Sequence, residues 1–253
     1  MNISNITAGY LGFSLYNINF SIEEGKISAL LGLNGTGKTT IIKTISGLLK
    51  AKEGHVFIDG KDILTMNEKE RGKILSYVPQ RSDIVYETSV MDVVLMGVTP
   101  YLGLFQTPGM EHKVEALNCL EKLGIKELSD ENYQNLSEGQ KQLVLIARAL
   151  LQDGTYMLLD EPDSSLDLVN KHKLMKKIRQ IIKDNNKSAL ISMHNPEYAL
   201  NYCDKILLLK RGEISEIDLE VEDMASIEKK LIEIYGPIKI LKYDDKYILY
   251  YNG

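Results

Sequence analysis

Two kinds of apolar spacing alternate along the 253 residues. Near the N-terminus "SLYNINFSI" alternates apolar and polar positions, which predicts a half-buried strand. "KISALLG", "YMLLDE" and "SALISMH" are short continuous apolar runs, the pattern of strands covered on both faces. "GHVFIDG" lies between glycines and "KILSYVPQ" stops at Pro79, and both predict further strands. Helical spacing separates these runs. "NGTGKTTIIKTISGLL" turns into a helix that ends at Gly47, and Leu168 to Lys183 predicts a long one. Strand, helix, strand with continuous apolar strands predicts a mainly parallel α/β sheet. From Arg81 to Leu151 the pattern is mostly helical, broken by the Gly- and Pro-rich "GVTPYLGLFQTPG", as expected of a helical insertion over residues 81–151. After "KILLLKRGEISEI", residues 222–253 predict a short extension of helix, strand and strand. No internal repeat or low-complexity segment stands out.

Composition narrows the function classes. The length suits one large domain with inserted parts, and 44% hydrophobic residues suffice for a sizeable core. A net charge of -5 lacks the basic footprint of a nucleic-acid binder. The lysines of "KHKLMKK", Lys171 to Lys177, are expected on the solvated face of a helix. Cys119 and Cys203 lie far apart, both in apolar helical contexts, so a reduced cytosolic protein is expected. No basic segment followed by an apolar stretch opens the chain, and no apolar run approaches the ~20 residues that span a bilayer. Work at a membrane would need another chain to span it.

The sharpest chemistry is "GLNGTGKT": Gly32, Leu33, Asn34, Gly35, Thr36, Gly37, Lys38 and Thr39. It fits G-x-x-x-x-G-K-[ST], with a buried strand before it and a helix after it. Glycines let consecutive backbone N–H groups curl around phosphate oxygens, and the helix N-terminus adds partial positive charge. Lys38 can reach the β- and γ-phosphates, and the Thr39 hydroxyl can ligate Mg²⁺. The chain therefore binds a nucleoside triphosphate. "YMLLDE" delivers Asp160 and Glu161 to the ligand-binding rim of a parallel sheet. There Asp160 can hold Mg²⁺ through water, and Glu161 can deprotonate an attacking water. Gln80 follows a strand and a proline, and could touch metal and water without adding charge. His194 ends "SALISM" and should emerge on the same rim, where a neutral imidazole could bond a γ-phosphate. His55, His112 and His172 have no such placement and are read as surface or structural. In "NLSEGQKQLVLIARAL", Ser137 and Gln140 have capping-box spacing, while Gly139 is a poor first-turn residue unless the backbone must approach something closely.

The order of phosphate loop, Gln80, "LSEGQ", "LLDEP", "SSLD" and His194 resembles the ATP-binding subunit of ABC transporters, over essentially the whole chain. The resemblance implies a P-loop NTPase core with an antiparallel β-subdomain, up to about Glu24, and a helical subdomain. It implies that Tyr10 stacks on adenine and that Gly32 to Thr40 bind the triphosphate. Gln80 would contact Mg²⁺ and the attacking water, Glu161 would be the general base, and His194 would be the γ-phosphate partner. Ser137, Gly139 and Gln140 of the signature would meet ATP held by another subunit, and Asp167 would communicate across the dimer. The implied partners are a second copy in an ATP-dependent head-to-tail homodimer, membrane permease subunits and, indirectly, a substrate-binding protein. The implied location is cytoplasmic, on the inner face of the membrane. Three positions depart from the pattern: Glu138 replaces a glycine, Leu143 an arginine and Asp163 a threonine.

"MGVTPYLGLF" resembles the "GRxPYxGxF" region of importers for iron–siderophore, heme and cobalamin, with Val98 in the arginine position. The short tail is similar to theirs. An exporter subunit or a soluble ABC ATPase remains an alternative. Repair members carry long coiled-coil insertions, and translation members carry two cassettes; neither feature is visible. A GTPase would need N-K-x-D, but the pairs beginning at Asn170 and Asn186 lack the aspartate.

Overall fold

The computed structural model describes residues 1–81, 84 and 86–253. The chain opens with a hairpin of β1 (Asn2–Tyr10) and β2 (Phe13–Ser21), and β3 (Ile27–Leu31) then runs into α1 (Lys38–Ile45). β4 (Glu53–Ile58) and β5 (Lys61–Asp62) precede α2 (Glu68–Gly72) and β6 (Leu75–Val78). Three helices follow: α3 (Val90–Leu95), α4 (Met110–Leu123) and α5 (Glu138–Leu151). Strands and helices next alternate as β7 (Tyr156–Asp160), α6 (Leu168–Asp184), β8 (Ser188–Met193), α7 (Pro196–Tyr202) and β9 (Lys205–Lys210). β10 (Glu213–Asp218), α8 (Met224–Tyr235), β11 (Ile238–Tyr243) and β12 (Lys246–Tyr251) complete the chain.

The central sheet has the order β10-β9-β3-β8-β7-β6. All its pairs are parallel except the β9–β10 hairpin. Alternation within the buried strands splits the core in two. Ala29, Leu31, Met157, Leu159, Ala189 and Ile191 face one cluster, shared with α3 to α8. Leu30, Leu158, Leu190, Leu207 and Leu209 face the other, shared with Ile41, Ile42 and Ile45 of α1 and with the antiparallel sheet β2-β1-β4-β5. Burying each such leucine, isoleucine or methionine contributes about 1.5–3 kcal/mol, so the strands read as continuously apolar are those that fix the sheet.

Parallel register brings one set of strand ends together. Leu31 lies opposite Met193 and Leu208, Asp160 opposite Ser192, and Val78 opposite Leu159. The segments leaving β3, β6, β7 and β8 therefore emerge side by side.

Helices α3, α4 and α5 pack on one another, and α5 also lies on β6. At its end the Gln152 amide donates to the carbonyls of Gly72 (2.7 Å) and Leu75 (2.8 Å). The C-terminal hairpin β11–β12 is tied to α7. Asn201 exchanges two bonds with the Tyr247 backbone (2.8 and 3.0 Å), and the Leu249 N–H donates to Glu197 (3.1 Å).

Two expectations need correction. Cys203 is buried but caps α7 in extended backbone instead of lying within a helix. The lysines of α6 are only partly solvated: Lys171 lies 3.7 Å from Asp163, and Lys177 donates to the Leu123 carbonyl. The three other histidines are structural or at the surface, as expected. His55 pairs with Asp62, His112 accepts from the Gly109 N–H, and His172 bonds the Tyr202 hydroxyl.

Candidate functional site

Gly37 turns the chain from the glycine-rich loop into α1 with φ of 106°, and no side chain caps the helix there. A Cβ at Gly37 would stand 2.9 Å from the Phe13 ring and 2.7 Å from Leu15, so both backbone and space call for glycine. The first helical residue, Lys38, is almost fully buried. Its ammonium donates to the carbonyls of Gly32 (2.9 Å) and Leu33 (3.2 Å) and approaches His194 Nδ1 (3.2 Å). Burial lowers its pKa, opposed by the charges of Glu161 and Asp160.

Glu161 is the second anchor. It has φ of 46°, a conformation that costs a non-glycine residue about 1–3 kcal/mol. Its N–H donates to both the carbonyl (3.2 Å) and the hydroxyl (2.9 Å) of Ser192, which holds the turn. Its carboxylate lies 2.6 Å from His194 Nε2 and 3.8 Å from Lys38, and accepts from the Gln80 amide at 2.7 Å. An ammonium can only donate, so Nδ1 of His194 accepts and Nε2 carries the proton given to Glu161. A neutral histidine thus bridges a cation and an anion.

Asp160, 1% exposed, accepts at Oδ1 from Thr39 Oγ1 (3.1 Å) and Ser192 Oγ (2.7 Å). Burial raises its pKa, and the two hydroxyl bonds oppose that shift. Lys38, Thr39, Thr40, Gln80, Glu161 and His194 line one cavity of about 390 Å³ with Phe13, Asn34, Gly35 and Gly37. Thr39, Asp160 and the Gln80 carbonyl form a hard oxygen set that suits Mg²⁺ shared with phosphate oxygens. Among the described residues no group of three or more His, Cys, Asp and Glu forms a separate metal cage.

The signature lies elsewhere. Ser137 caps α5 with the capping box expected: its hydroxyl accepts from the Gln140 N–H (3.3 Å), and Gln140 accepts from the Ser137 N–H (2.9 Å). Ser137, Gly139 and Gln140 line a different groove, of about 400 Å³, against α6. Asp167 caps α6 through the Asn170 N–H (2.9 Å), and this bond leads the causes that hold its carboxyl below the usual range. A single chain therefore gathers the phosphate loop, Gln80, Asp160, Glu161 and His194, but not the signature.

The family model described as ABC transporter matches residues 15–164. The chain belongs to this family. It is 35% identical over 239 residues to the protein named "Probable iron chelatin transport ATP-binding protein" of Helicobacter pylori J99, covering 93% of this chain and 92% of that one. It is 33% identical to the manganese transport system ATP-binding protein MntB of Listeria innocua, covering 93% and 96%. Among solved structures, the inward-facing conformation of a transporter described as metal-chelate type has a TM-score of 0.82 at 25% identity, covering 98% and 94%. A dimeric ATP-binding cassette in a post-hydrolysis state with ADP and Pi has a TM-score of 0.76 at 28% identity, covering 86% and 98%. The chain is an ABC ATPase with the expected α/β architecture.

The three departures from the family pattern each have a local setting. Glu138 pairs with Lys141 of its own helix (2.9 Å). Leu143 packs against the core and lines the signature groove. Asp163 faces Lys171. Val98 is 3% exposed, so an arginine there would have to bury its charge. Gly139 approaches Leu166 within the chain: a Cβ would stand 2.7 Å from Leu166 Cδ2. Tyr10 is half exposed at the end of β1, opposite Phe13, and it is Phe13 that lines the phosphate cavity. Sequence reading missed Phe13 and Ser192. A serine inside the otherwise apolar "SALISM" was the available signal for Ser192; Phe13 looked like any strand aromatic.

Proposed function

We propose that the chain energises a membrane importer by hydrolysing ATP as a head-to-tail homodimer. The single observation that carries this reading is the separation of the signature groove from the phosphate cavity, which leaves each site half-built until a second copy supplies Ser137, Gly139 and Gln140. Glu161 acts as general base. A water oxygen attacks the γ-phosphorus, the bond to the β-phosphate oxygen breaks, the water proton passes to Glu161, and ADP and phosphate result. Lys38 and His194 hold the γ-phosphate. Thr39, Asp160 and Gln80 hold Mg²⁺, which supplies charge neutralisation when bound. Tyr10 stacks on adenine, the backbone from Gly32 to Thr40 cradles the triphosphate, and Asp167 signals across the dimer. The general reading extends to residues 81–151 as a helical subdomain and 222–253 as a C-terminal extension.

A cleft of about 320 Å³ lined by Leu48, Tyr77, Met96, Pro100 and Arg148 separates the core from the helical block and supports permease docking. Leu48 and Met96 are exposed there, as interface anchors would be. Among the described residues no helix is long and apolar enough to cross a membrane, which fits a subunit held on the cytoplasmic face by a permease. For cargo we favour a metal chelate of the iron–siderophore, heme or cobalamin type, delivered by a substrate-binding protein. The iron-chelatin relative and the metal-chelate structure support it. Co-purification of the permease, followed by ATPase assays of the reconstituted complex with loaded binding protein, tests the whole reading. Stimulation by iron–siderophore, heme or cobalamin supports it. Stimulation by free manganese alone overturns the cargo, and the absence of any permease overturns the transport role.

A further inference from the structure

A second, smaller cavity also has Gln80 in its wall. It has a volume of about 160 Å³, and its wall includes Gln80, Arg81, Glu138, Lys141, Gln142 and Ser165. At about 30 Å³ per water it has room for roughly five waters, or for one small tetrahedral oxyanion. Gln80 also lines the cavity that holds Lys38 and Glu161, so the two spaces share that side chain as a wall.

Its described wall carries two cations, Arg81 and Lys141, and one carboxylate, Glu138. Gln142 is 8% exposed, and its amide Nε2 has no hydrogen-bond partner. A buried amide left unpaired is costly, so it calls for an acceptor. Arg81 is exposed, and among the described residues it forms no ion pair. Lys141 adds a second cation, and the Ser165 hydroxyl can also donate. Among the described residues of its wall one carboxylate opposes them: Glu138, paired with Lys141 at 2.9 Å, which leaves Arg81 without an acidic partner among those residues. An unpaired guanidinium, an orphaned amide donor and a hydroxyl around a small chamber make a site for an oxyanion, and a guanidinium fork suits phosphate geometry.

We propose that this chamber binds inorganic phosphate and is where the product phosphate passes after leaving the γ-position, with Gln80 as the partition between the two spaces. The proposal rests on the hydrolytic reading above. It gives Glu138 a role as well: neutralising Lys141 limits the pull on the anion, so that phosphate is held weakly and released.

The test uses the full-length Glu161→Gln chain loaded with saturating ATP, so that the γ-phosphate position is filled and no phosphate is produced. Equilibrium dialysis with labelled inorganic phosphate is expected to find about one further phosphate per chain at millimolar concentration. Arg81→Ala and Gln142→Leu are each expected to weaken it about tenfold while ATP retention is unchanged. In the active protein the same two substitutions should slow phosphate release, followed with a fluorescent phosphate sensor, relative to cleavage followed by acid quench. No phosphate retained beyond ATP, or retention and release unchanged in both variants, overturns the chamber. Failure of the Glu161→Gln chain to bind ATP, or of the unaltered chain to cleave it, overturns the hydrolytic reading and the chamber with it.

Discussion

Gly139→Ala separates two reasons for the glycine in "LSEGQ". In the structure its near neighbour is Leu166: an added methyl would stand 2.7 Å from Leu166 Cδ2, against an optimum of about 3.5–4.0 Å. Leu166 is only half-buried and can turn aside, at about 0.5–1.5 kcal/mol for an off-rotamer side chain. Alanine meanwhile gains about 0.5–1 kcal/mol over glycine in a helix. The two terms nearly cancel, so the melting temperature should move by no more than about 2–4 °C in a chain of this size. Turnover should respond differently. If Gly139 lets the backbone meet the partner subunit's phosphate, a methyl disturbs a charged hydrogen bond worth about 1.5–3 kcal/mol. That is roughly a ten- to hundredfold loss of ATPase activity. The decisive variant is Gly139→Ala combined with Leu166→Ala, which removes the collision inside the chain. Steady-state ATPase and thermal melts should find it about as slow as the single variant. Recovery of full turnover would refute the phosphate contact and leave Leu166 packing as the whole reason for the glycine.

Four other expectations are equally direct. Glu161→Gln should bind ATP, hydrolyse it poorly and accumulate as a dimer; gel filtration with ATP checks this, and a variant that stays monomeric or keeps full turnover removes the general-base assignment. Mixing Lys38→Ala with Ser137→Arg chains should leave at most one intact composite site per heterodimer; turnover independent of mixing ratio and protein concentration would count against a shared site. Tyr10→Ala should weaken ATP binding by several-fold, about 1 kcal/mol of stacking, while sparing inorganic triphosphate; if Phe13→Ala alone produces that pattern in a binding titration, the adenine platform is Phe13. Glu228 accepts from Lys239 (2.7 Å) and the Ile240 N–H (3.0 Å), and these bonds hold its carboxyl below the ordinary 4.5. A lowered folded-state value means the tether is complete above 4.5 and lost as pH falls through the lower value. Protection of the Ile240 amide from hydrogen exchange, taken relative to the intrinsic rate at each pH, should therefore fall with acid in the native chain but not in Glu228→Gln, and identical pH profiles would dismiss the tether.

What could be read from sequence depended on how local each determinant was. The strands around "SALLG", "MLLD" and "ALISM" were legible because burial on both faces demands uninterrupted apolar residues, and their order fixed the rim that holds Lys38, Glu161 and His194. The capping box at Ser137 was legible because it involves only residues three apart. The Ser192 bonds to Asp160 and Glu161 cross between strands 31 and 32 residues apart, so spacing could not reveal them. Phe13 lies against Gly37 because β2 folds back over the phosphate loop, a contact between segments with no sequence relation. The Lys-rich stretch of α6 was legible only in part for the same reason: Lys173 and Lys176 are exposed, but Lys171 and Lys177 are half-buried. A helical wheel puts Lys171 and Lys177 on an exposed face, but Asp163 and the Leu123 carbonyl come from elsewhere to meet them.

If Glu161 is the general base, its hydrogen bonds give a reason why it would work better with substrate present. One of its oxygens accepts from His194 at 2.6 Å and the other from Gln80 at 2.7 Å, so a water must share those oxygens with two protein donors. Lys38 reinforces this competition, because its ammonium keeps Nδ1 of His194 an acceptor and thereby keeps Nε2 a donor toward the carboxylate. A γ-phosphate offers Lys38 a stronger acceptor than the neutral carbonyls of Gly32 and Leu33. Once the ammonium turns to it, His194 is no longer held in one tautomer and can donate to the same phosphate. The Gln80 amide N–H would then have the attacking water as an alternative acceptor to Glu161. Each of these moves weakens a bond to the carboxylate and strengthens one to the nucleotide. On this argument, availability of the base and capture of the phosphate are one exchange of hydrogen bonds, and Glu161→Gln would hold ATP because the amide stops proton transfer while leaving that exchange largely intact.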